Sequence, residues 1–215
     1  MTDYCELDDL KTQIEISTTD KDDALEFLIT RASRAIDRWC GREDSWFVAL
    51  TVATAREYKG SGKYWQHIDE NVEVSLVEVK DSPNDTDYVE WASTDWIAYT
   101  GSRDFPNFNL TPYMALMTDT ANGDYSVFTA SFKPPLPPMP TVRVTAKWGY
   151  AVTVPPQIEE ACIVQVSRWF KRAQSSWADT IARGDFGELR YTNKVDSTVA
   201  GLLQDGGWVD PRRRM

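Results

Sequence analysis

Two amphipathic helical patterns lie near opposite ends of the chain, and they limit its fold more than any other feature. In the first pattern, apolar residues advance by threes and fours: Leu25, Leu28, Ile29, Ala32, Ile36, Trp39 and Cys40. The second pattern has the same spacing and runs through Ile158, Ala161, Cys162, Gln165, Val166, Trp169, Phe170 and Ala173. Each stripe must be buried against another element. We therefore expect the two helices to pack on each other although they are far apart in the sequence.

Local signals mark where the helices begin and end. Thr19 precedes the first long helix as a candidate N-cap, and Gly41 follows it as the stop. Pro155 and Pro156 precede the second long helix, at a position where proline is tolerated. A shorter helix is predicted within residues 4–16, because their apolar side chains also have helical spacing.

The segment between the long helices has the composition of β structure. Residues 47–133 consist of short runs rich in Val, Thr, Tyr and Trp, separated by clusters of turn-forming residues. Within them we expect residues 51–58 and 71–79 to form neighbouring strands, and residues 88–132 to form short strands and long loops. Residues 141–148 alternate apolar and polar side chains, which predicts an amphipathic strand.

A proline-rich segment and a polar C-terminal region complete the pattern. The sequence KPPLPPMP at residues 133–140 predicts a stiff polyproline spacer. From residue 178 onward the chain has too little apolar surface to fold firmly by itself. The predicted fold class is α+β: a small bundle of two long helices plus short helices, with an inserted aromatic-rich antiparallel β subdomain and an extended C-terminal tail. The predicted segments are residues 1–46 (N-terminal helices), 47–140 (β-rich insertion), 141–177 (strand and long C-terminal helix, packing on the N-terminal helices) and 178–215 (extended tail with a short helix).

The net charge of the chain excludes one class of function. With 23 basic and 33 acidic residues, the 215-residue chain carries a net charge of −10. An acidic surface repels phosphate, so it lacks the basic footprint of a protein that grips nucleic acid. Such a surface still lets DNA slide past, because it offers the polyanion no place to bind.

Signals for membranes, secretion and disulfides are weak. No apolar run approaches the ~20 residues of a membrane span, and the N-terminus lacks the basic and apolar stretches of a signal peptide. We therefore expect synthesis in the cytoplasm and no membrane partner. Three cysteines, Cys5, Cys40 and Cys162, are too few and too scattered for a disulfide framework or a zinc knuckle. They are interpreted as reduced and mostly buried thiols.

The inventory of catalytic groups is poor. The single histidine, His67, has no second His or Cys at ligand spacing, so a surface or filler role is favoured. Residues 60–63 (GSGK) contain only a fragment of a phosphate loop and lie between strands, which favours a hairpin turn. Three pairs of adjacent carboxylates fall at predicted helix starts, where they interact favourably with the dipole: Asp8 and Asp9, Asp22 and Asp23, Glu159 and Glu160. We expect no enzyme activity, no metal and no cofactor.

Aromatic residues are concentrated in the predicted β insertion: Tyr64, Trp65, Trp91, Trp96, Phe105, Phe108 and Tyr113. Three uses are open to them. They can fill the core of a thin β layer, form an interface with another protein, or form a platform that stacks on sugars. Core use is the default interpretation, and of the other two a protein interface is favoured.

The C-terminal region carries a second set of candidate contact residues: Val199, Leu202, Leu203, Trp208, Val209, Arg212, Arg213 and Arg214. Aromatic and arginine side chains are frequent anchors of protein interfaces. A segment that lacks its own core can become ordered on another subunit. The three arginines can equally be solvated charges near a terminus.

The order of these elements resembles the head-to-tail connector, or adaptor, family of long-tailed double-stranded DNA bacteriophages and gene transfer particles. The resemblance rests on three parts of the sequence. The first part comprises residues 7–11 (LDDLK), 19–20 and 24–29 (ALEFLI), together with Ala32, Ser33 and Ile36. The second part comprises residues 142–151 (VRVTAKWGYA), Val154, Pro155 and residues 158–161 (IEEA). The third and weakest part comprises Asp196, Val199, Leu202 and Leu203. The succession of strand, WGYA turn, proline and helix is the most specific part. The long aromatic insertion at residues 60–133 departs from the shorter members of the family.

The resemblance implies a structural virion protein at the head-tail interface. In that family the subunits form a ring, usually a dodecamer, that docks on the portal protein and joins it to the next tail-completion or stopper protein, while DNA passes through the lumen. For this chain the resemblance implies portal contact through the C-terminal residues named above, and an insertion that faces a neighbouring subunit or the tail. A receptor- or glycan-binding phage tail module that uses the aromatic insertion is the alternative.

Overall fold

The computed structural model of the protein describes residues 2–101, 107–125, 127–131, 139–174, 180–183, 187–190 and 195–209. Four helices and a six-stranded antiparallel sheet lie within these ranges, together with a pair of short strands. The predicted mixed α+β class is therefore confirmed. The chain divides into two compact units, which we call the helical unit (Met1–Phe47 with Val154–Met215) and the β unit (Val48–Thr153).

The helical unit contains the helices α1 (Leu7–Gln13), α2 (Asp22–Cys40), α3 (Pro156–Gln174) and α4 (Ser197–Asp205). Helix α2 contacts α3, and α3 contacts α4. The apolar stripes expected from the sequence supply the buried residues: Leu25, Leu28, Ile29, Ala32, Ile36 and Cys40 on α2, and Ile158, Ala161, Cys162, Val166 and Phe170 on α3. Burying one large side chain of this kind contributes roughly 1.5–3 kcal/mol, so the two stripes stabilise the contact between distant chain segments.

Of the two predictions for the ends of α2, the C-terminal stop at Gly41 is correct and the N-cap at Thr19 is wrong. Gly41 ends the helix in the left-handed conformation, with a φ of 78°, as expected. Thr19 is not the N-cap, because Lys21 occupies that position without a side-chain capping bond. The N–H of Asp22 donates to the Thr19 carbonyl at 3.2 Å, and the Asp22 carboxylate accepts from Lys11 Nζ at 2.7 Å. The main chain of Thr19 thus forms a turn, and the helix begins after it.

Six strands form one antiparallel sheet in the β unit: β1 (Thr54–Tyr58), β2 (Trp65–Val79), β3 (Val89–Trp91), β4 (Trp96–Tyr99), β5 (Tyr113–Thr118) and β6 (Val142–Trp148). The order across the sheet is β1-β6-β2-β5-β4, and β3 pairs with the C-terminal end of β2. The short strands predicted within residues 88–132 and the strand predicted at residues 141–148 are both confirmed. Buried and half-buried residues alternate along the whole of β6, so one side of it faces the core.

The predicted pairing of residues 51–58 with residues 71–79 is wrong, because β6 lies between β1 and β2. Strand β1 pairs with one edge of β6 and β2 pairs with the other, and both pairings are antiparallel. The strands β1 and β2 therefore run parallel to each other. Parallel strands cannot be joined by a two-residue hairpin. The GSGK segment at residues 60–63 consequently connects two strands that do not pair with each other, and it is not a hairpin turn.

Two register shifts along the long strand β2 change which of its side chains face the core. They lie at residues 71–73 and 74–76, where β2 has an extra residue relative to β6. Such a shift moves the following side chains to the other face of the sheet. Val77 and Val79, after the second shift, are buried, whereas Val72 before it is only half-buried. A single alternating pattern along this strand therefore does not describe its burial.

The core of the β unit is a cluster of aliphatic and aromatic side chains: Ile68, Val77, Val79, Trp91, Leu116, Phe128, Val142, Val144, Ala146 and Trp148. Strand β6 supplies four of them, because its inward positions are all apolar. Trp148 also satisfies its polar atom, since its Nε1 donates to the Thr54 carbonyl at 2.7 Å. Strand β6, which lies between β1 and β2, therefore contributes more residues to this cluster than any other strand.

The extended tail predicted for residues 178–215 is not confirmed. Its described part contains α4 and an antiparallel pair of strands: β7 (Thr180–Arg183) and β8 (Gly187–Arg190). Val199 and Leu203, one turn apart on α4, are buried. Since α4 contacts α3, residues 195–209 fold as part of the helical unit. The predicted polyproline spacer falls mostly on residues 132–138, which lie outside the described residues.

Candidate interaction surfaces

The described residues hold no metal-binding cluster. Among them, no group of three or more His, Cys, Asp and Glu side chains could hold a metal ion. His67 lies exposed on β2, where its ring is 4.7 Å from the ring of Trp65. The carboxylate pairs of α1 and α2 lie in the first helical turns, as expected for stabilisation by the helix dipole. No helix in the described part of the chain is long and apolar enough to span a membrane.

A buried polar network fixes the N-terminal segment to α2. The Tyr4 hydroxyl donates to Asp37 Oδ1, and the N–H of Ser45 donates to Asp37 Oδ2 at 2.9 Å. Arg34 Nη2 donates to the Thr2 carbonyl at 2.7 Å, and Arg34 Nε lies 3.1 Å from Asp37 Oδ2. Burial raises the pKa of the Asp37 carboxyl above its ordinary value, although the Tyr4 hydroxyl opposes this shift. Because these contacts join residues 2 and 4 to α2, the network serves as an anchor.

A groove of about 740 Å³ opens beside this anchored segment. It is lined by Thr2, Asp3, Cys5, Glu6, Leu7, Asp23, Glu26, Phe27, Ile29 and Thr30. We call it the acidic groove, because its lining contains four carboxylates and no basic side chain. Phe27 adds an apolar surface, since it is 62% exposed on α2. The groove therefore suits a segment that combines cationic and apolar side chains.

The structure separates the C-terminal contact residues expected from the sequence into three groups. Val199 and Leu203 are buried, Leu202, Trp208 and Val209 are half-buried, and Arg212, Arg213 and Arg214 lie outside the described residues. Trp208 Nε1 donates to Gln157 Oε1 at 2.8 Å, and its ring lies 5.7 Å from the ring of Phe47. The chain after α4 is thus held against the start of α3, with part of its apolar surface left open.

Asp196 fixes the start of α4 to α3. Its side chain caps α4 by accepting from the N–H of Thr198 at 2.9 Å, and it lies 3.1 Å from Arg168 Nη1. Its own N–H donates to Gln165 Oε1 at 2.8 Å. Asp196 belongs to the weakest part of the sequence resemblance, and these contacts give it a structural role. It sets the position of α4 on α3.

The aromatic residues of the insertion divide between core and surface. Trp91 is buried and stacks on Tyr125 and Phe128, with ring centroids 4.4 and 4.9 Å away. Of the others, Trp65, Trp96 and Tyr113 are half-buried, Tyr64 and Phe108 are exposed, and Phe105 lies outside the described residues. Core use therefore explains Trp91, whereas Tyr64 and Phe108 leave ring surface open to a partner.

A second groove, of about 390 Å³, brings three of these aromatic residues together. It is lined by Val72, Glu73, Val74, Trp96, Ile97, Ala98, Phe108 and Tyr113. We call it the aromatic groove. Tyr64, Trp65 and Trp91 do not line it. With one carboxylate among mainly apolar side chains, the groove suits an apolar segment of a protein partner.

Sequence reasoning misses the acidic groove, because its carboxylates come from separate segments before α1 and on α2. One signal in the sequence does point to it. Phe27 lies off the apolar stripe of α2, on the face that an amphipathic helix leaves to solvent. The two grooves therefore differ in how far they can be anticipated: the aromatic content of the β insertion is visible in the sequence, and the acidic groove is not.

These observations define a class of protein: an α+β chain of two compact units whose described surface carries an acidic groove and an aromatic groove. Comparison with known families adds a specific likeness. Residues 4–81 match the family described as "Phage gp6-like head-tail connector protein". The resemblance to head-to-tail connectors that the sequence predicts is thereby confirmed over these residues. The match covers α1, α2, β1 and β2, and it does not reach the WGYA turn at residues 148–151.

A solved structure provides a second likeness. The chain is similar to a chain of the structure described as "Virion of native gene transfer agent (GTA) particle", with a TM-score of 0.48 and 12% sequence identity. The likeness covers 96% of this chain and 89% of that chain. At this identity and TM-score it carries no functional argument. No curated protein matches the sequence.

Proposed function

We propose that the protein is a structural subunit of the connector that joins the head of a tailed bacteriophage, or of a gene transfer particle, to its tail. The match of residues 4–81 to the head-tail connector family carries this proposal. The net charge of −10 supports it, because a connector must let DNA pass without holding it. The protein is then a component of the virion, made in the host cytoplasm.

In this proposal the subunits form a ring, a dodecamer, with DNA passing through its lumen. A ring closes only when each subunit presents two different complementary patches, because each copy has a neighbour on both sides. The chain has two chemically different grooves, the acidic groove of the helical unit and the aromatic groove of the β unit. They support contacts in which each groove receives a segment of a neighbouring protein.

The C-terminal residues form the proposed contact with the portal protein. Apolar surface comes from the half-buried residues after and on α4: Leu202, Trp208 and Val209. Positive charge comes from the three arginines at residues 212–214. Val199 and Leu203 act indirectly, because they are buried where α4 contacts α3 and so position the helix. The β insertion then faces a neighbouring subunit or the next tail-completion or stopper protein.

Mixing the purified chain with the portal protein of the same particle tests this assembly. We expect the two proteins to co-sediment, and electron microscopy to show a ring added to the portal. The variant R212E/R213E/R214E is expected to weaken co-sedimentation roughly tenfold or more, because a cationic anchor becomes anionic. The matched control K21E/K59E/K171E reverses three exposed lysines spread over both units and is expected to bind normally.

Two results would count against the proposal. Normal co-sedimentation of the arginine variant would contradict the portal contact at residues 212–214, while leaving the connector role intact. Failure of the wild-type chain to associate with portal, under conditions where portal itself is assembled, would contradict the connector role.

A further inference from the structure

Two cysteines from distant parts of the chain meet inside the helical unit. Cys5 precedes α1, Cys162 lies on α3, and their sulfur atoms are 3.4 Å apart although 157 positions separate them in the sequence. Both thiols are free and buried. We propose that Cys5 and Cys162 form a disulfide site, at which oxidation joins the two sulfur atoms within one chain.

Neighbouring contacts hold Cys5 beside Cys162. The residue before Cys5, Tyr4, donates its N–H to Ser33 Oγ at 3.0 Å and its hydroxyl to Asp37. Ser33 Oγ in turn lies 3.7 Å from the sulfur of Cys162. Since bonded sulfurs are about 2.05 Å apart, the two thiols need only a small approach from their present distance.

The acidic groove gives a small oxidant access to the pair. Cys5 lines this groove and is 8% exposed, whereas Cys162 is fully buried. The Cys5 thiolate attacks a small disulfide reagent, which forms a mixed disulfide and releases one thiol. The Cys162 thiolate then attacks the Cys5 sulfur and displaces the second thiol. In total, two protein thiols are oxidised, the reagent is reduced to two thiols, and these carry away the two thiol protons.

Electrostatics at the site determine which oxidants act and how fast. The contact with Cys162 and burial both raise the pKa of the Cys5 thiol above its ordinary value. The thiolate is the attacking species, so oxidation is slow near neutral pH and faster at higher pH. The carboxylates of the acidic groove attract a cationic reagent and repel an anionic one. Cystamine, which is cationic, therefore reacts faster than glutathione disulfide, which is anionic, and added salt reduces the difference.

The new bond ties the segment before α1 to α3 and restrains the helical unit. Closing a loop of this length raises the midpoint of thermal unfolding by roughly 5–10 °C. The inference does not depend on the proposed connector role. If the protein is part of a virion, the disulfide can form after release, because the particle leaves the reducing cytoplasm of the host for oxidising surroundings in which disulfides persist.

Oxidation of the reduced full-length chain with cystamine, followed by alkylation and peptide mapping, tests the inference. We expect one linked pair of peptides, containing Cys5 and Cys162, in the wild type and in the matched control C40A. In C5S and C162S we expect no linked pair and no rise in the unfolding midpoint. The chain oxidised in denaturant is a second control, because there the shorter loop between Cys5 and Cys40 closes more readily.

Three results obtained with the folded chain would each overturn the inference: linked peptides that contain Cys40, disulfides between two copies, or three thiols that all stay open to alkylation after incubation at raised pH. If C5S and C162S fail to fold, the mapping of the wild type and C40A decides the question by itself. These measurements use the isolated chain, so failure of the connector proposal would leave their meaning unchanged.

Discussion

At the scale of a single residue, Gly149 shows why the WGYA turn needs its glycine. Its φ is +138°, a backbone conformation that side chains disfavour. A Cβ at this position would lie 2.5 Å from the Cα of Ala49, and the Gly149 N–H donates to the Glu70 carbonyl at 2.9 Å. Beside it, the N–H of Ala49 donates to the Ala151 carbonyl at 2.8 Å. Two backbone segments of the β unit therefore approach each other at a point where no side chain fits.

The substitution Gly149→Ala is expected to destabilise the β unit by about 2–4 kcal/mol, because it combines an unfavourable φ with a backbone clash. Urea unfolding followed by tryptophan fluorescence measures the effect. Gly201→Ala is the matched control: Gly201 lies within α4, a Cβ added there would meet nothing within 4 Å, and alanine favours helix. A midpoint for Gly149→Ala equal to that of the wild type would contradict this account of the turn.

The pair Glu78 and Arg143 adds a contribution that depends on pH. Arg143 Nε donates to Glu78 Oε2 at 2.7 Å across the contact of β2 with β6, and a second guanidinium nitrogen donates to the other carboxylate oxygen. These hydrogen bonds lower the pKa of the Glu78 carboxyl below its ordinary value of 4.5. A carboxyl with a lowered pKa in the folded chain stabilises the fold above its ordinary pKa, and this stabilisation is lost as the pH falls through the folded-state value.

Replacing Glu78 with Gln should therefore have an effect that shrinks in acid. Near neutral pH the variant is expected to be less stable than the wild type by about 0.5–1 kcal/mol. Below the ordinary glutamate pKa of 4.5 the difference should decrease, because the wild-type carboxyl also becomes neutral. Unfolding curves from pH 7 to pH 3 measure this, with the exposed Asp87→Asn as control. A difference that stays constant over the whole range would show that the ion pair contributes nothing.

Among the secondary-structure elements, α4 is the one whose packing is hardest to predict from composition. The residues from 178 onward carry few apolar side chains, which predicts an unattached tail. Two of those few, Val199 and Leu203, are nevertheless buried, and Asp196 holds the start of the helix through Arg168 and Gln165. A small apolar patch suffices here because the surface of α3 receives it.

Shortening Leu203 tests the attachment of α4. Leu203→Ala is expected to cost about 2–4 kcal/mol, since the side chain is fully buried and its removal leaves a cavity. Hydrogen exchange should rise in residues 197–205 while α2 keeps its protection. Asp205→Ala, at an exposed position of the same helix, serves as the control. Unchanged exchange in α4 would mean that the burial of Leu203 does not hold the helix in place.

Elements with a clear periodicity are predictable from the sequence, and their neighbours are not. The helices α2 and α3 and the strand β6 follow directly from the spacing of apolar residues. The position of β6 between β1 and β2 has no such signal, because alternation determines which side of a strand is buried and leaves its neighbours open. The same limit applies to the sites: Trp96, Phe108 and Tyr113 stand out by type, whereas only the fold brings the carboxylates around Phe27 together.

At the scale of the whole molecule, the net charge of −10 has a consequence that grows with assembly. A weak attraction to DNA of about 1 kcal/mol per subunit would sum to about 12 kcal/mol over a dodecamer, which corresponds to nanomolar binding. A connector with that affinity would hold the DNA that it has to let pass. Because each acidic subunit repels DNA, no such attraction accumulates over the ring. The net charge therefore matters more for the proposed ring than for one chain.

Duplex DNA is therefore expected to bind neither the isolated chain nor its assembled ring at 0.15 M salt. Fluorescence anisotropy of a labelled duplex measures this, with a basic DNA-binding protein of similar size as the positive control. A protein that contacts several phosphates loses affinity steeply as salt rises, with a slope of about −0.9 for each phosphate on a logarithmic scale. Saturable binding with such a slope would contradict a passive lumen. It would require a local basic surface strong enough to overcome the net charge, and the arginines at residues 212–214 would be the first to substitute.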